Sequence, residues 1–182
     1  LNAIGAITGR VSKGLLFTLA GFTALGVGIT KFISAGSKAE SQILKLEALL
    51  KATGFAAGQT AEDIEELAVS IGRNTLASVQ GARDAAGILL TFKSISGDTF
   101  GEVLKLSQDL AAVGFGSITT AATQLGKALE EPEVGLASLR RVGVSFSESQ
   151  KEQIKVLSLT GQQAKAQELI LKALKDQVGG AG

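Results

Sequence analysis

Between Gln124 and Gln167 the chain reads as three short helices joined by two tight corners and a glycine turn. Pro132 sits where a helix can begin without its N–H. Gly143 closes that helix, and Val144–Phe146 is extended. Ser147 and Gln150 have the spacing of a capping box. Gly161 then turns the chain into a last helix. Apolar residues recur here every three or four positions and never alternate over a useful length, which selects helices over strands.

The same rhythm runs back through the sequence. Thr60 caps a helix with acids in its first turn and an inward stripe of Ile64, Leu67, Ala68 and Ile71. Ser78 starts the next, which carries Ala82, Ala85, Ala86, Leu89, Leu90 and Phe92. Asp98 is expected to cap a helix through Phe100, Val103, Leu104, Leu106, Leu110, Ala111 and Val113, stopped by Gly114 and Gly116. Ser117 begins another through Ala121, Ala122, Leu125 and Leu129. Leu136 and Leu139, then Ile154, Val156 and Leu157, then Ala164, Ala166, Leu169, Ile170, Ala173 and Leu174 supply the inward faces of the rest.

The first third is different. Gly14 to Thr30 carries no charge, and Lys13 and Lys31 bracket it. As a helix it would span about 25 Å, just short of a bilayer's hydrocarbon core. Gly21, Gly26 and Gly28 interrupt it, which argues against a signal peptide. Phe22, Leu25, Ile29, Phe32, Gly36, Ala39, Ile43, Leu46 and Leu50 alternate spacings of three and four, a coiled-coil seam of about four heptads. Ala20, Ala24 and Gly28 form a small-residue stripe that lets helices approach closely. One helix from about Val11 to Ala52 is expected. Three uses are open for it: packing in its own domain, self-association, or entry into a membrane.

The expected fold is all-α: one long N-terminal apolar, coiled-coil-like helix followed by a bundle of about six or seven short helices. The divisions are a connecting segment at 1–13, the long helix at 14–52, a helical domain at 53–178 and a Gly-rich linker at 179–182. The chain opens on Leu1 rather than Met and closes on Gly179, Gly180, Ala181 and Gly182, as an internal piece of a longer protein would.

Composition narrows the chemistry. His, Cys, Met, Trp and Tyr are all absent, so the usual zinc, haem and iron–sulfur ligands and the Ser-His-Asp and Cys-His nucleophiles are missing. No catalytic, cofactor-binding or metal-binding residue is assigned. Residues 1–60 hold six basic and two acidic side chains, too dilute for a nucleic-acid groove. Glu130, Glu131 and Glu133 could form a carboxylate pair, but acids at a helix start need no catalytic explanation. Gly26 with Gly28, and Gly114 with Gly116, lack the strand and third glycine of a dinucleotide loop. Arg140 and Arg141 are adjacent on a helix and point in different directions, a surface pattern.

Taken in order, several of these residues resemble the helical region of tape measure proteins of long-tailed bacteriophages. The likeness runs through Leu89, Leu90 and Phe92; Gly97, Asp98 and Phe100; Asp109 to Ala111; Leu125 to Leu129; Glu131 and Pro132; Gly135 and Leu136; Leu139 to Val144; Phe146 and Ser147; Gln150 and Lys151; and Ala166, Gln167, Ile170 and Leu171. It covers about residues 38–182. The long coiled-coil region and cell-wall hydrolase domain of some members are not in this sequence. What the resemblance implies is a non-enzymatic protein without cofactors, held in the tail tube or tip, whose length sets tail length and which leaves ahead of DNA at infection. Implied partners are other copies of itself, as a trimer because the tail tip commonly reduces to threefold symmetry in this family, the tube, tip or baseplate proteins, and the host membrane, with DNA met only in passage. The alternative is a membrane-active, pore-forming or holin-like helical module.

Overall fold

The computed structural model describes residues 41–182 except 76, 141 and 142. Their regular structure is helical, with no strand among the described residues. Helix α1 covers 41–52. It is followed by α2 (Ala61–Asn74), α3 (Val79–Leu89), α4 (Asp98–Ala112), α5 (Ile118–Glu130), α6 (Pro132–Arg140), α7 (Glu148–Leu159) and α8 (Gln163–Val178). Gln42–Gly182 form one compact unit. The expected helix from Val11 lies outside the described residues as far as residue 40.

Local chemistry sets most of the starts. Thr60 Oγ1 accepts the Asp63 N–H at 3.1 Å, and Asp63 Oδ2 accepts the Thr60 N–H at 3.0 Å, a reciprocal box at the head of α2. Ser78 and Ser117 cap α3 and α5 by accepting one backbone N–H each, and Ser147 with Gln150 forms a reciprocal box at α7. The start of α4 differs from expectation. Its cap is Gly97, at φ 57 and ψ −136, and Asp98 is the first helical residue. Only glycine adopts that backbone readily. The Gly97 N–H donates to the Ala57 carbonyl at 2.8 Å, which fixes the turn. Asp98 keeps a favourable place at the positive end of the helix.

Helix α5 is the hub, packed on α3, α4 and α6, while α8 packs on α7, α4 and α5. Ala82, Ala85 and Ala86 of α3 and Ala121, Ala122 and Ala128 of α5 are fully buried. Short side chains let these helices approach closely, and Phe100, Leu104, Leu110, Leu125 and Leu129 fill the remaining volume. Most expected inward residues are buried; Leu67, Phe92, Ala111, Leu136, Leu157 and Leu169 are half-buried. Val113 and Val156 face solvent at 53% and 48% exposure, and Ala164 is exposed too. Val113 is the C-cap just past α4, Val156 lies on the face of α7 opposite Ile154, and Ala164 stands in the first turn of α8.

One residue that the sequence pattern did not single out is strained. Phe55, after α1, has φ 57 and is 59% exposed. A non-glycine residue there costs about 1 kcal/mol. Its N–H donates to the Leu50 carbonyl at 2.8 Å and its carbonyl accepts from Gly58 at 3.0 Å, so hydrogen bonds on both sides hold it.

Candidate functional site

For a protein with no assigned catalytic group, the candidate site is a packing feature: the corner where α5, α6 and α8 meet. Glu131 ends α5 at φ −129, and Pro132 begins α6 at once. The chain reverses so tightly that Gly135 lies against the backbone of Ala128. A Cβ at Gly135 would stand 2.1 Å from Ala128 Cα. On the other side of α5, Gly126 lies under the ring of Phe92, where a Cβ would meet ring carbons at 2.3 Å. Space requires glycine at Gly135, where the neighbours are backbone, and at Gly126 as long as the Phe92 ring keeps its place.

The end of α5 has carbonyls without helical partners. Two glutamines of α8 satisfy them. Gln163 Nε2 donates to the Leu129 carbonyl at 2.5 Å, and Gln167 Nε2 donates to the same oxygen at 3.2 Å. Gln167 also donates to the Ser94 carbonyl at 3.0 Å and is 5% exposed. One buried amide thus ties α8 to α5 and to the α3–α4 connection. The sequence offered a faint signal: Gln163 and Gln167 fall among Ala166, Ile170 and Leu174, where an apolar residue would ordinarily stand. A third glutamine acts further along. Gln177 accepts the Ser145 N–H and donates to the Ser145 carbonyl, both at 2.8 Å. The extended Val144–Phe146 segment therefore pairs with a side-chain amide.

The sequence-stressed charges are placed plainly. Glu130, Glu131 and Glu133 are all exposed. Arg140 is exposed, and Arg141 lies outside the described residues. The Lys151 ammonium hydrogen-bonded to Glu148 holds that carboxyl below the usual range, with Arg140 adding a smaller pull. At Asp63, the hydrogen bonds from the Thr60 backbone and hydroxyl do the same. The Arg83 guanidinium grips both carboxylate oxygens of Glu65 and joins α3 to α2; the hydrogen bond raises its pKa. Gly114 and Gly116 form the α4–α5 turn. Among the described residues no Asp and Glu group is placed to hold a metal.

The candidate seam divides. Leu46 and Leu50 are 4% and 1% exposed within the unit's own core, and Ile43 is half-buried against it. Phe22, Leu25, Ile29, Phe32 and Ala39 lie outside the described residues, as do Ala20, Ala24 and Gly28. So do Gly26 and the uncharged run from Gly14 to Thr30. No helix among the described residues is long and apolar enough to cross a membrane.

The model of the prophage tail length tape measure protein family matches residues 2–155. The chain belongs to this family. No curated protein and no solved structure matches it. The tape measure match takes in the apolar first third and every helix through α6, and it ends inside α7. It therefore starts earlier than the likeness placed at residues 38–182 and does not include Ala166, Gln167, Ile170 and Leu171. A tape measure protein is a structural component of the phage tail and associates with other tail components.

Proposed function

We propose that this tape measure chain is held inside the tail tube or tip, sets tail length, and leaves ahead of the DNA at infection to assist its passage across the host envelope. The single observation that carries the reading is the family match, which runs continuously from the uncharged N-terminal run into the helical unit. Within the proposal, residues 14–52 are the long helix, and Phe22, Leu25, Ile29, Phe32 and Ala39 are its seam, joining three copies. The helical unit carries no chemistry and contacts tube, tip or baseplate proteins.

The test is tail length. Inserting about 100 helical residues into the protein in an intact phage should lengthen tails by about 150 Å, at about 1.5 Å per residue. Unchanged tails in micrographs would end the proposal.

A second reading, a membrane-active pore-forming or holin-like module, is favoured by the uncharged run between Lys13 and Lys31. Native mass spectrometry of the chain offered to nanodiscs addresses both details. A trimer supports the seam, and a strict monomer at high concentration removes it. Failure to partition into the nanodisc removes the membrane reading.

A further inference from the structure

Residues 179–182 have the composition of a flexible linker, yet they are held. The Gly180 N–H donates to Asp109 Oδ2 at 3.0 Å, and the Gly182 N–H donates to Asp109 Oδ1 at 2.9 Å. Both oxygens of one carboxylate therefore bind alternate amides of the segment. The glycines suit this seat. Gly180 has φ +78, and a Cβ at Gly182 would stand 2.8 Å from Gln108 Cγ. The segment lies beside a groove of about 640 Å³ whose lining includes Gln59, Glu102, Lys105 and Lys175.

We propose that this segment is a strap, that Asp109 is its latch, and that docking the strap governs how firmly the last turn of α8 is held. Three polar attachments pin that turn, one of them the Lys175–Glu102 ion pair to α4 at 3.7 Å. The strap fixes it to α4, and Gln177 fixes it to Ser145 in the connection between α6 and α7. Gln177 is only three residues before Gly180. Undocking the strap leaves the last turn held by the exposed Lys175–Glu102 pair to α4 and by the half-buried Val178, so it frays more readily and the Ser145 clasp loosens with it. The strap is thus a mechanical link between α4 and the α6–α7 connection, running through the end of α8. Substituting the latch removes two charge-assisted hydrogen bonds and no buried apolar surface, because Asp109 is only half-buried.

Amide hydrogen exchange on the 182-residue chain tests the link. In the unaltered protein, the Gly180 and Gly182 amides should exchange at least about tenfold more slowly than in an unstructured chain. Asp109→Ala should abolish that protection and speed exchange at Ser145 several-fold, leaving the α5 amides unchanged. Unprotected Gly180 and Gly182 amides in the unaltered protein would overturn the strap. Protection at Ser145 that survives Asp109→Ala would overturn the coupling. Asp109→Asn, which keeps one acceptor oxygen, should give an intermediate result, and full wild-type protection there would overturn the latch.

Discussion

Gly135→Ala is expected to destabilise the protein by about 3 kcal/mol, the upper range for an extra methyl group forced into a packed site. The cause is the identity of the neighbours. The new Cβ would meet Ala128 Cα at 2.1 Å and Ala128 N at 2.6 Å. Those are backbone atoms of the central helix, so no rotamer change can relieve the contact. Helix α6 must lift from α5 or α5 must bend, and either loosens the amide ties at Leu129. Thermal melting followed by circular dichroism should show a midpoint lower by roughly 10 °C. Gly143→Ala is a useful control, since a Cβ there meets nothing within 4 Å and only the φ of +99 resists it. That variant should lose about 1 kcal/mol. Equal midpoints for Gly135→Ala and the unaltered protein would show that the α5–α6 contact is looser than described.

Ile154→Ala should have a comparable effect, confined to one helix. Ile154 is the only buried residue of α7, and Leu157 beside it is half-buried. Val156 and Leu159 face solvent, at 48% and 72% exposure. Helix α7 packs chiefly on α8 and otherwise touches α6. Truncating Ile154 removes its anchor at a cost of about 2–4 kcal/mol. Such an opening need not disturb the α3–α4–α5 core. Hydrogen exchange should speed up about a hundredfold across α7, a change of about 2.7 kcal/mol, with little change in α5. If α5 and α7 lose protection together, α7 does not open on its own.

Much of this architecture was legible in the residues. Thr60, Ser78, Ser117 and Ser147 announce helix starts because capping is a matter of a few consecutive residues. Pro132 does so for the same reason. Interactions across the chain were not legible. Gly135 reads as one of many glycines until Ala128 is brought against it. Gln163 and Gln167 look out of place on an apolar stripe, but the sequence does not place the end of α5 beside them. At Gly97 and Asp98 the local rule favours the acid as cap, but the turn needs a backbone that only glycine takes easily, and Ala57 holds that turn. The heptad pattern through Ile43, Leu46 and Leu50 marks an apolar face without naming what covers it. For these three positions the cover is the unit's own core.

The three glutamines have a bearing on the conditions this fold can withstand. Gln163, Gln167 and Gln177 tie α8 to its surroundings through neutral amides, whereas Asp109 and the Lys175–Glu102 pair hold its end through charge. An amide neither takes up nor releases a proton across the range where carboxylates and imidazoles titrate, and added electrolyte screens it little. The amide fastenings should keep their strength when acidity or ionic strength shifts around the molecule, while the charged ones weaken. A protein joined in this manner could travel between dissimilar surroundings with the amide joints of its final helix intact, the response falling on that helix's charged end.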